Sequence, residues 1–148
     1  MESLSKTWFV DVDGTILKHS TNEKLDEWIF KFKDKSYLAE KPITSAIEFF
    51  KNRPKRDRIV IATAREKRHI EHTLKVLRHH GMPFDDYVFE LGAGPRIVVN
   101  DIKPPGVVGN KDPLKTAYGL DVERDVGIVK EHYTEIEKID KPYYGYEQ

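Results

Sequence analysis

Two carboxylates separated by a single valine, Asp11 and Asp13, interrupt the apolar run FVDVDGTIL at residues 9 to 17. In an extended backbone, residues two apart project to the same side. Both acids are then placed to face one ligand. Close carboxylates repel, and one protonates unless a cation sits nearby. Magnesium relieves that repulsion because it takes hard oxygen ligands. With the charge balanced, one carboxylate is a candidate to attack a phosphorus atom and the other to shuttle the proton. Gly14 admits the tight turn such a site needs, and Thr15 is placed to hydrogen-bond within it and steady Asp13. Two further apolar runs end in polar residues: RIVIAT at Thr63 and RIVVND at Asp101. In open α/β sheets, ligands bind beyond the carboxyl ends of the strands. Asp11, Thr63 and Asp101 are therefore candidates to converge.

The elements that would position these residues follow from periodicity. TWFVD at 7 to 11, RIVIAT at 58 to 63 and RIVVND at 96 to 101 are short apolar runs, and the second is rich in β-branched residues. Continuous runs rather than alternation predict strands covered on both faces, as in parallel sheets. DYVFE at 86 to 90 is a further short candidate strand. Between them, Ile43, Ala46, Ile47 and Phe50 fall at helical spacing, with Pro54 as the stop. Ile70, Leu74 and Leu77 make a second stripe, closed by Gly81 as a C-terminal cap. The order strand, helix, strand, helix, strand, strand predicts an α/β domain with a largely parallel sheet. Residues 16 to 42 form an irregular insert with the aromatic cluster Trp28, Phe30, Phe32 and Tyr37. It is too short for a domain; a flap, a hairpin or an extra helix remain open, with the aromatics packed beneath. The tail from 115 onward predicts one or two short strands with a turn near Glu123, Arg124 and Asp125. His69, His72, His79 and His80 read as a solvated helix face, and LGAGP at 91 to 95 as a plain loop.

Bulk properties bound the function. A chain of 148 residues has single-domain length, and 39% apolar with 34% charged residues suits a soluble globular protein. Formal net charge is zero, which argues against nucleic-acid or membrane affinity through bulk electrostatics. The absence of cysteine excludes disulfides and thiolate metal sites. The N-terminus lacks a signal-peptide apolar region, and no run approaches membrane-spanning length. A cytoplasmic protein is expected; its oligomeric state is left open.

DVDGT after an apolar strand resembles the first motif of the haloacid-dehalogenase-like (HAD) hydrolases. IVIATAR, ending its strand at Thr63, resembles the second motif, and IVVNDIKP, with Asp101, resembles the fourth. The order is that of the family, and the resemblance spans residues 7 to 106. It implies a Rossmann-like sheet and a magnesium-dependent phosphotransferase, usually a phosphatase, here a single domain with residues 16 to 42 as flap or minimal cap. Asp11 would be the nucleophile that forms an aspartyl-phosphate, and Asp13 the general acid and base. Asp11, the backbone carbonyl of Asp13, and Asp101 would hold magnesium. Thr63 would bind a phosphoryl oxygen, with Ala64, Arg65, Arg96 and Lys103 as further substrate-binding candidates. Lys67, Lys75 and Arg96 are candidates for the basic third motif, with Lys103 out of order. The chain departs from the pattern at the fourth motif, where Asn100 precedes Asp101 and IKPPG follows without a second acid. GPRIVVNDIKP and KTAYGLDVERDVGI also resemble small phosphatase-like proteins found with capsule and sugar-nucleotide enzymes. That narrower resemblance implies a sugar phosphate among small-molecule phosphomonoesters. A nucleotide or nucleic-acid-end phosphatase, and a catalytically weak protein that binds phosphorylated metabolites, are the rival readings.

Overall fold

Three short runs become the parallel strands β1 (Thr7–Val10), β2 (Arg58–Ala62) and β3 (Asp86–Val88), hydrogen-bonded in that order. The structure, a computed structural model, describes residues 5–53 and 55–144. The helix stop expected at Pro54 lies outside the described residues. Val10 pairs with Ile61 and Ala62 with Val88, so β1, β2 and β3 all run toward the same end of the sheet. The architecture is mixed α/β with a small parallel sheet, compatible with a Rossmann-like fold.

Parallel neighbours need long crossovers. The β1–β2 crossover carries helix α1 (Asn22–Phe32), a 3-10 helix (Lys33–Ala39) and helix α2 (Thr44–Asn52). The β2–β3 crossover carries helix α3 (Ile70–His79), entered through a 3-10 turn at Lys67–His69. The insert at 16 to 42 is thus helical. Thr21 caps α1 by accepting the Lys24 N–H, which satisfies an otherwise orphaned helix donor. Gly81 ends α3 at a φ of 71°, a conformation glycine adopts without Cβ strain.

Burial follows strand position. In the central β2, Ile59 and Ile61 are fully buried. In β1, Phe9 is 63% exposed, and β3 is exposed along its length. Ile59 and Ile61 share one face, while on the other Arg58 is exposed and Val60 half-buried, so the expected coverage of both faces is complete on one face of β2 only. Two buried or turn carboxylates pin the strand starts. Asp57 accepts from the Trp8 indole at 2.9 Å and from the Lys6 backbone N–H at 2.9 Å. Asp85 accepts from the Ile59 N–H at 2.8 Å. Trp8 meets Phe49 of α2 edge-on, with centroids 5.0 Å apart.

Three expectations are corrected. Residues 96 to 101 are not a strand: Ile97 is 82% and Val99 92% exposed. A β-branched run has strand propensity, but a strand exists only where a neighbour takes its backbone hydrogen bonds, and this run has no ladder partner among the described residues. The tail holds one antiparallel bridge, Glu123 with Gly127, around the expected turn, and then a helix that periodicity did not flag, α4 (Lys130–Tyr144). The aromatic cluster is split: Phe30 is 84% exposed and Phe32 is exposed too, whereas Trp28 and Tyr37 are half-buried, Tyr37 meeting His79 edge-on.

The chain forms two compact units. One comprises Lys6–Ala93 and Val122–Ile128 and contains the sheet. The other contains Gly94–Asp121 and α4. In it, Lys103 and Leu114 exchange backbone hydrogen bonds at 3.0 and 2.9 Å. The loop between them is stapled by buried Asn110, whose amide donates to the carbonyls of Lys103, Pro104 and Asp112. No helix among the described residues is long and apolar enough to cross a membrane.

Candidate functional site

Immediately after β1 the chain folds back on itself. The amides of Thr15, Ile16 and Leu17 all donate to the Val12 carbonyl, and Gly14 N–H donates to Leu17 at 2.8 Å. Gly14 has a φ of 80°, and a Cβ there would lie 3.0 Å from Arg124 Cγ. The turn thus favours glycine for its backbone conformation, and a Cβ there would need Arg124 to give by a few tenths of an ångström. Val12, Ile16 and Leu17 are fully buried, so the turn is anchored by its apolar residues while Asp11 and Asp13 stay half-buried.

Thr63 follows β2 at the same end of the sheet and is 1% exposed. Its backbone is tied to the chain that leaves β3, with Thr63 N–H on Val88 at 3.0 Å and Leu91 N–H on Thr63 at 3.1 Å. Its hydroxyl accepts the Arg65 N–H at 3.1 Å, which shapes the TAR segment. Ala64, between them, is exposed.

Arg65 turns inward and is 2% exposed. Its Nε and one terminal nitrogen donate to the two Asp13 oxygens at 2.9 and 2.8 Å. Both terminal nitrogens donate to Glu40, at 2.8 and 2.6 Å, and one also reaches Thr73 Oγ1 at 2.9 Å. A guanidinium has five N–H donors, so the protein's own acceptors consume all of them. Asp13 Oδ1 also accepts the Ser20 N–H at 3.2 Å. Asp13 is therefore steadied by Arg65 and Ser20 rather than by Thr15. Behind Arg65, Glu40 accepts from His72 Nε2 at 2.7 Å, and His72 Nδ1 meets Ser36 Oγ at 2.8 Å. Burial pushes the Glu40 carboxyl up, but hydrogen bonds from Arg65 and His72 outweigh it and hold the group at about 2. Burial works against the Arg65 charge, yet the bonds to Glu40 and Asp13 raise its pKa above the usual arginine value.

The chain matches no protein-family model, no curated protein and no solved structure.

Of the expected site residues, the sheet-bearing unit brings together Asp13 and Arg65, with Asp11 and Thr63 at adjacent strand ends. Arg96, Asp101 and Lys103 belong to the other unit. There Lys103 Nζ donates to Asp101 at 3.2 Å, Arg96 donates to the Gly94 carbonyl at 2.7 Å, and Asp101 is exposed. Among the described residues, no three His, Asp or Glu side chains are grouped to hold a metal ion. The donors after β1 nevertheless suit magnesium in kind. Asp11 offers a carboxylate, and position 13 offers its main-chain carbonyl, since its carboxylate is engaged by Arg65 and Ser20.

Of the four histidines expected on a solvated face, His79 is exposed and His80 half-buried, whereas the other two depart from it. His69 and His72 are both buried. His69 Nε2 meets Asp26 at 2.7 Å, and the Arg68 hydrogen bond, ahead of that from His69, holds the Asp26 carboxyl down at about 2. Glu40 and His72 are the site residues that sequence reasoning missed. A signal existed for His72 and Thr73: they adjoin Leu74, Val76 and Leu77 on the buried side of α3, where polar residues require partners. Nothing local marks Glu40, whose partners lie 25 and 32 residues away.

Proposed function

We propose that this protein is a magnesium-dependent phosphomonoester hydrolase of the HAD type, acting through an aspartyl-phosphate, with sugar phosphates as the substrate class. The observation that carries the reading is the pairing of Asp11 with an Asp13 whose carboxylate is locked in place, at the strand end beside Thr63. In this reading an Asp11 oxygen attacks phosphorus as the bond from phosphorus to the leaving oxygen breaks, and that oxygen takes the proton of an Asp13 that enters the step neutral and leaves it as the carboxylate Arg65 grips. Asp13 then accepts a proton from the water that hydrolyses the acyl-phosphate. Thr63 holds a phosphoryl oxygen. Magnesium, held by Asp11 and the Asp13 carbonyl, would neutralise phosphoryl charge and orient the group.

Turnover of p-nitrophenyl phosphate with magnesium tests the reading directly. Asp11→Asn keeps the shape and removes the anionic oxygen, so the rate should fall below about a tenth of wild type, a loss of about 1.4 kcal/mol at minimum. A variant that keeps more than that rules out the covalent step. The ion pair of Asp101 with Lys103 favours one alternative, a protein that binds phosphorylated metabolites without turning them over. Binding of a sugar phosphate without turnover by the wild type would select it.

A further inference from the structure

We propose that Arg65, buttressed by Glu40, is the positioning residue that sets the orientation of the Asp13 acid–base carboxylate; this rests on the phosphatase reading. Asp13 is gripped at both oxygens by one edge of the guanidinium. Two parallel N–H···O bonds fix the plane of a carboxylate, whereas a point charge would leave it to rotate about its last bond. The grip is firm only if the guanidinium is itself held. Glu40 forks onto it through both of its oxygens, and Thr73 takes the remaining donor. Glu40 is held in turn by His72, backed by Ser36. The chain of contacts thus ties the turn after β1 to α3.

Exposure shows which end of this network faces outward. The side chains of Arg65 and Glu40 are each 1% exposed, while that of Asp13 is 21% exposed. Buried ion pairs of this kind are often no more stabilising than apolar residues of the same volume. Stability alone is therefore a weak reason for the arrangement. Its product is a single carboxylate, fixed in rotation and reachable from outside. Arg65 has no donor left for a phosphoryl group, so its contribution runs through Asp13.

The test uses the full chain, with magnesium and two probes, p-nitrophenyl phosphate and a simple alkyl phosphomonoester. Glu40→Gln replaces one acceptor oxygen with an amide NH2 that faces a guanidinium donor. It should lower kcat on the alkyl ester, which needs a proton at its leaving oxygen, by about 100-fold. The aryl ester should lose less than about tenfold, and KM for both should stay within about twofold. Arg65→Lys, which keeps charge but loses the fork, should show the same split. Thr73→Val supplies a milder variant should either misfold, with a smaller loss of the same pattern. Equal losses on both esters, or losses confined to KM, would overturn the proposal. Wild type inactive on both esters would instead sink the phosphatase reading. The grip itself is then read by hydrogen exchange at Arg65 Nε–H, expected to be slow in wild type and fast in Glu40→Gln. Fast exchange in wild type rejects it.

Discussion

Glu40 is enclosed by the protein and ionised, a combination that makes stability depend on pH. Its folded value of about 2 lies below its ordinary 4.5. Its contribution to stability is therefore complete above pH 4.5 and is lost as pH falls through the window down to about 2. Thermal melts across that window should show the midpoint falling. In Glu40→Gln the midpoint should be lower at neutral pH and flatter through the same window, because the neutral side chain binds no proton. Parallel pH profiles for wild type and Glu40→Gln would show that Glu40 is not the group responsible.

At the level of elements, the turn after β1 and the segment 122–128 lean on each other through glycine. Gly127, with a φ of 77°, approaches so closely that a Cβ would lie 2.6 Å from Ser45 Oγ and 2.8 Å from the Thr15 carbonyl. Gly81 has a similar φ of 71° with nothing within 4 Å of a Cβ. Gly81→Ala should cost about 1–2 kcal/mol of backbone strain. Gly127→Ala should cost about 1–3 kcal/mol beyond that, because a backbone carbonyl must move. Urea denaturation of the two variants measures the difference; equal midpoints would mean that the close approach carries no energy. The strand ends at Asp11 and Thr63 were legible because an apolar run closed by a polar residue is a local signal. So was α3, from Leu74 and Leu77. What escaped was non-local. RIVVND has the composition of a strand, but its neighbours in the chain do not say whether an edge will accept it. Glu40 sits in a polar stretch, AEKP, that reads as surface until Arg65 and His72 are brought to it.

At the scale of the whole molecule, the sheet-bearing unit is discontinuous in sequence: the chain leaves it after Ala93 and returns at Val122. The returning segment bonds the region around the candidate site. Asp125 N–H donates to the Gly14 carbonyl at 2.8 Å, His19 N–H donates to Asp125 Oδ1 at 2.7 Å across 106 residues, and Ser45 Oγ donates to the Val126 carbonyl at 2.7 Å. Closing so long a stretch of chain costs entropy before any contact repays it. The structure therefore carries a consequence for the time course of folding. β2 and its neighbours can pair within the first part of the chain, whereas the turn bearing Asp13 must wait for its last companion. Pulse-labelled refolding should find the Ile59 and Ile61 amides protected before that of Asp125, and simultaneous protection would show that the clasp forms with the sheet. If the order holds, a refolding chain passes through a stage with a formed sheet and a loose carboxylate turn, so the two acids are set in place only after the sheet has its shape.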